Sequence, residues 1–226
     1  MKEFKSIALD GPSGAGKSTL AKRVAKHFGF IYVDTGALYR AIGLFVFRNG
    51  VESKDEKGVL GLLSQIRLGM HYDESGLQRM LLNDEDVSDD IRLPEISTYA
   101  SDVSAIPAVR EFLLNMQRDM AKSHNVIMDG RDIGTVVLPS ADLKIFITAD
   151  DSARALRRFK ELTAKGVDVT FEDVARDMMQ RDKNDSEREA APLKAADDAI
   201  TVDTTELDFE QSFQALVNLI SEKFGL

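Results

Sequence analysis

A three-layer α/β fold around a central parallel sheet is what the sequence predicts, on three observations. Short apolar runs alternate with longer segments of helical periodicity along most of the chain. A glycine-rich turn joins the first apolar run to the first helical segment. Residues 67–93 interrupt the alternation with closely spaced strand-like runs, the pattern of a small antiparallel insert. The 226 residues suffice for a sizeable core, and no repeat or linker divides them into independent domains.

The elements follow in order. SIALD at 6–10 is an apolar run that stops at Gly11, and 17–28 carries Leu20, Val24 and Phe28 at helical spacing. Residues 30–34 read as a second strand closed by Thr35-Gly36, and 37–48 as a helix ending near Asn49-Gly50. A helix over 55–66 is weakened by Gly58 and Gly61. In the insert, strands are expected at 67–72 and 77–82 around the turn Asp73-Glu74-Ser75-Gly76. A second turn at 83–86 precedes a third short strand starting at Val87. Pro94 and Pro107 open helices to about 105 and 123, as proline suits a first turn. Strands are expected at 125–128, 143–148 and 199–203, with helices at 152–165, 171–188 and 209–224. Such an alternation buries a parallel sheet on both faces.

The chemistry begins at Gly11-Pro12-Ser13-Gly14-Ala15-Gly16-Lys17-Ser18-Thr19, which satisfies G-x-x-x-x-G-K-[ST] between a strand and a helix. Glycines let backbone amides close on a phosphate, and the helix N-terminus points at the anion. Lys17 can reach the β- and γ-phosphates, and the Ser18 hydroxyl can ligate Mg²⁺. The dinucleotide pattern G-x-G-x-x-G fails at Thr19, and G-x-S-x-G fails at Ala15. His27, His71 and His124 stand singly and far apart. That suits phosphoryl transfer to another phosphate: the acceptor oxygen is already anionic, with a second pKa of about 6, so no general base is required.

Such a transfer needs two polyanions neutralised and water kept out, tasks for arginine forks on a hinged lid. Six of the 15 arginines lie between 154 and 188. Arg154, Arg157 and Arg158 share one helix face, and Arg181, Asp185 and Arg188 share another. Residues 165–169, with Gly166 as hinge, join the two helices. Asp129-Gly130-Arg131-Asp132 ends an apolar strand, where open α/β sheets bind ligands. Asp129 is there the acid that organises Mg²⁺ with Ser18.

Composition sets the limits. The net charge is −9, and residues 189–226 alone carry −6. An acidic surface with one arginine concentration fits a small-anion cleft and argues against a nucleic-acid machine or an anionic membrane partner. There is no cysteine. The longest apolar stretches, such as 41–47, fall short of the ~20 residues that span a bilayer, and no signal-like apolar region precedes Gly11. A cytoplasmic address is expected.

Taken together, IALDGPSGAGKST, VDTGALYRA, ASDVSAIPAVRE, DGRDIGTVV and QRDKNDSEREAAPL resemble the bacterial cytidylate kinases, over 7 to about 203. The resemblance implies a P-loop kinase of the nucleoside monophosphate kinase type, transferring the γ-phosphate of ATP to CMP or dCMP with Mg²⁺. It implies a monomer with a core of 1–38, 106–153 and 189–226, a monophosphate-binding insert over about 39–105 and a helical lid over about 154–188. By the same resemblance Ser101, Arg110 and Asp132 read the cytosine edge. Arg40 and Arg131 hold the acceptor phosphate, beside the hydroxyl of Thr35. Arg181, Asp185 and Arg188 contact the sugar and phosphate side. Lys17, Arg131, Arg157, Arg181 and Arg188 are the expected catalytic cations. Asn184 departs from the pattern, since close relatives can carry arginine there. Two other readings have less behind them. A kinase with another small acceptor would share the loop. A GTP switch would want N-K-x-D, which is absent.

Overall fold

The computed structural model describes residues 4–74, 76 and 78–226. The chain opens with β1 (Ser6–Asp10), α1 (Lys17–Phe28), β2 (Ile31–Asp34), α2 (Thr35–Arg48) and α3 (Glu56–Leu63). Three short strands follow, β3 (Leu68–Tyr72), β4 (Gln78–Leu82) and β5 (Glu85–Asp86), then a 3₁₀ turn at Asp90–Arg92. After α4 (Pro94–Ser104) and α5 (Pro107–Ser123), β6 (Val126–Gly130) runs into a π turn at Ile133–Val137. The remainder is β7 (Leu143–Thr148), α6 (Asp151–Ala164), α7 (Phe171–Glu187), β8 (Ile200–Asp203) and α8 (Phe209–Phe224).

Two compact units result, Met1–Tyr32 with Ala121–Leu226, and Val33–Met120. The first is built on a five-stranded sheet of order β2-β6-β1-β7-β8, in which β1 pairs in parallel with β6 and β7, and β7 with β8. The expected central parallel sheet is therefore present. β1 is buried along its whole length, which is why it reads as a continuous apolar run. Register sets Asp10 beside Gly130 on one side and Phe146 on the other. The carboxyl ends of the three central strands thus align where the chain crosses from β6 to β7, the crevice that open α/β sheets use for ligands. Leu20 and Val24 of α1 and Leu216 and Ile220 of α8 pack with Ile7, Leu9 and Ile145 in the core of this unit. The α6–α7 hairpin adds a small cluster of Ala155, Val174 and Met178, flanked by Phe159 edge-on to Phe171.

The second unit has its own core, in which Leu38 and Ile42 of α2, Val103 of α4, Leu113 of α5 and Met80 of β4 meet. It carries the small antiparallel sheet expected between 67 and 93. Its β3, β4 and β5 form an antiparallel meander. Three expectations are corrected here. α2 begins at Thr35, two residues early, because the Asp34 side chain accepts from Ala37 N and caps the helix directly off the strand. The third strand is Glu85–Asp86 rather than one starting at Val87, since Asn83 and Asp84, both with positive φ, make a two-residue turn that returns the chain at once. α3 stops at Leu63. Ser75 and Leu77, assigned to the hairpin turn and its second strand, lie outside the described residues, as do 1–3.

Candidate active site

The turn between β1 and α1 is shaped by glycine. A Cβ at Gly11 would drive into the Ile147 carbonyl. At Gly14, with φ +71°, it would meet Met178 Cε at 2.5 Å and the Arg154 carbonyl at 3.0 Å. Gly16 caps α1 with no side-chain acceptor, and the first turn holds no acid, so its amides are left for an external anion. Thr19 follows in that turn. Lys17 is buried and donates from Nζ to the Pro12 carbonyl at 2.7 Å. Burial, then the neighbouring Arg131 charge, pulls its pKa down to about 7. Ser18 Oγ donates to Asp129 Oδ2 at 2.7 Å, and the Tyr32 hydroxyl donates to Asp129 Oδ1 at 3.0 Å. The expected hydroxyl–carboxylate pair is therefore assembled.

The ends of β1 and β6 are tied together by Asp10, which accepts from Ile133 N at 2.8 Å and Gly134 N at 2.7 Å. Burial pushes the Asp10 carboxyl up to about 6 against the pull of those two amides. The bonds start the π turn and fix the backbone just after Arg131 and Asp132. Arg131 donates from Nε to Asp185 Oδ2 at 3.0 Å and from Nη2 to Ser13 Oγ at 3.0 Å. Burial opposes its charge, but Asp185 and Asp182 outweigh that and bind its proton more tightly. Arg188 lies 3.4 Å from Asp132 Oδ1 and 3.7 Å from Asp185 Oδ1. Arg181 stands one turn before Asp185 on α7, whereas Arg188 lies just past the helix end in extended backbone and comes near Asp185 from there rather than by helical spacing.

The three arginines of α6, expected to act together, part company. Arg154 is buried and donates to the Ala149 carbonyl at 3.0 Å, to the Ser13 carbonyl at 2.6 Å, and to Asp182. Arg157 donates to Thr204 Oγ1 at 3.1 Å and to the Thr204 carbonyl at 2.5 Å, placing it beyond the end of β8. Arg158 pairs with Glu161. Asn184 is exposed and accepts from Gln180. Asp182, which the sequence reading passed over, accepts from Ser13 N at 2.9 Å. The available signal was its position one turn before Asp185 on an already suspected face.

In the second unit, Asp34 organises the other expected ligands. Its carboxylate lies 3.0 Å from Arg92 Nη2 and 3.8 Å from Arg40 Nη1. Burial would raise the Asp34 carboxyl, but Arg40 and Arg92 overcome it and leave it below the ordinary range. Thr35 is buried at the first position of α2. Arg110 is also buried, donates to the Ser104 carbonyl at 3.1 Å, and stacks 5.4 Å from the Tyr39 ring centroid. Ser101 Oγ is buried and makes no hydrogen bond among the described residues. Arg92 and Asp34 were not foreseen.

A family model described as cytidylate kinase matches residues 7–222. Among curated proteins, the cytidylate kinase of Caldicellulosiruptor bescii is 49% identical over 214 residues, covering 95% of this chain and 94% of its own. That of Streptococcus suis is 48% identical over 217 residues, with 96% and 95% covered. Among solved structures, an uncharacterized protein from Eubacterium ventriosum superposes with TM-score 0.51 at 14% identity, covering 96% of this chain and 98% of that one, a likeness of fold.

Proposed function

The chain belongs to the cytidylate kinase family, and from that premise we propose how its residues move the γ-phosphoryl group of ATP onto CMP, giving ADP and CDP. The observation that carries the proposal is the Arg131 fork. One guanidinium reaches the donor loop at Ser13 and the lid carboxylate Asp185, so a single cation serves both polyanions.

The loop amides of 11–19 take the triphosphate, and Lys17 follows its outer phosphates. Ser18 and Asp129 form a hydroxyl–carboxylate donor set that suits a hard cation completing its shell with water and phosphate oxygens. Mg²⁺ bound there would neutralise developing phosphate charge. Arg131, Arg181 and Arg188 stabilise the transferring group, and the acceptor's own ionised oxygen attacks. Arg40 and Thr35 take the acceptor phosphate. The unpartnered Ser101 hydroxyl, with Arg110 and Asp132, is matched to a base edge that offers both a donor and acceptors. Asp185 accepts from ribose hydroxyls. Free nucleotides are the partners on this reading, and the net charge of −9 disfavours longer polyanions.

The test is a coupled assay with Mg²⁺–ATP across CMP, dCMP, UMP, AMP and GMP. CMP should be the best acceptor or share that rank with dCMP. Asp132→Ala should narrow the CMP-over-UMP ratio by about tenfold, the size of one lost hydrogen-bonded contact. Brisk transfer to a purine monophosphate with none to CMP would reject the proposal.

A further inference from the structure

Ser13 is held at every polar atom it has, by three different elements. Its N–H donates to Asp182 of α7 at 2.9 Å. Its carbonyl accepts from Arg154 of α6 at 2.6 Å. Its hydroxyl accepts from Arg131, just past β6, at 3.0 Å. Arg154 and Asp182 also pair with each other, so the two peptide units that meet at Ser13 sit in an ionic clamp. Met178, one turn before Asp182 on α7, stands against Gly14. Asp185, one turn after Asp182, holds the far side of Arg131.

These contacts form a closed circuit: loop to Asp182, along one turn of α7 to Asp185, across to Arg131, and back to the loop through the Ser13 hydroxyl. A carboxylate beside a triphosphate site would repel the donor, and the Arg154 guanidinium offsets that charge. The clamp can therefore grip the loop without opposing the nucleotide. Resting on the reading of the site as an ATP:CMP transferase, we propose that Asp182 and Arg154 are positioning residues of the donor loop. Through the Ser13 hydroxyl, filling that loop fixes Arg131 for the acceptor.

The consequence is a measurable coupling between the two ligands. Energetic coupling of this kind usually amounts to about 5- to 150-fold in affinity and is reciprocal. CMP binding to the whole protein is measured by calorimetry with and without Mg²⁺ and a non-hydrolysable ATP analogue. In the unmodified protein the analogue should tighten CMP binding by about fivefold or more. In Ser13→Ala, which keeps both backbone contacts but loses the Arg131 link, that ratio should fall to near one. Asp182→Ala should lower kcat by about tenfold or more, whereas Asp182→Asn, which retains an oxygen for Ser13 N–H, should restore most of it. Wild-type coupling in Ser13→Ala, absence of coupling in the unmodified protein, or equal losses in the two Asp182 variants would each overturn the inference. Failure of the unmodified protein to phosphorylate CMP would instead overturn the functional reading beneath it.

Discussion

Lys17 sits in a place that disfavours its charge, and on the proposed reading a polyanion would restore it. Burial and Arg131 hold its pKa to about 7 in the free protein, and triphosphate oxygens will raise it. Above pH 7 the free protein carries mostly neutral Lys17, so ATP binding must take up a proton; near pH 6 it need not. Calorimetry at pH 8 in buffers of different ionisation enthalpy should show uptake approaching one proton, absent in Lys17→Met. No uptake at pH 8 in the unmodified protein would contradict the burial argument. Lys17 and its loop were legible in the sequence because their spacing is local. Asp182 and Asp10 were not, because each is defined by a backbone amide 169 or 123 positions away. Arg157 shows the converse. Helical spacing placed it beside Arg154, yet the neighbouring Thr204 decides where its guanidinium goes.

At the scale of elements, alternation located nearly every helix and strand, and junction chemistry explains the exceptions. The turn at Asn83-Asp84 needs positive φ at both residues, 50° and 71°, which asparagine and aspartate tolerate at a cost. Four polar residues in a row read as a longer loop, so β5 was misplaced. Asp84→Gly should relieve that cost and stabilise the meander by about 0.5–1 kcal/mol. The lost Arg67 pair is exposed and contributes little. Urea titration would check it; a fall in midpoint would mean that the turn is not strained as described. The π turn at Ile133–Val137 was likewise invisible, since Asp10, on a distant strand, supplies its first acceptors.

For the molecule as a whole, the parallel sheet and the small antiparallel insert could be read from the chain, whereas the reach of the second core could not, because it depends on which faces meet. Val109 and Leu113 of α5 join Leu38 and Ile42 of α2 and Val103 of α4 in the second core. Leu113 is buried in that second core. Leu113→Ala should cost about 2–5 kcal/mol, and amide exchange should quicken first across 33–120 while the β1–β6–β7 amides stay protected. Uniform loss of protection would show that the two cores melt as one. A last consequence follows from the junction at Asp34, which ends β2 and caps α2 with no residue between them. An inserted residue there has no slack to absorb it. It would turn the helix by about 100°, swinging Arg40 off its bearing and rotating Leu38 outward. Length variation among natural homologues should therefore be excluded at this uninterrupted strand-to-helix junction and confined to positions where the backbone can bulge.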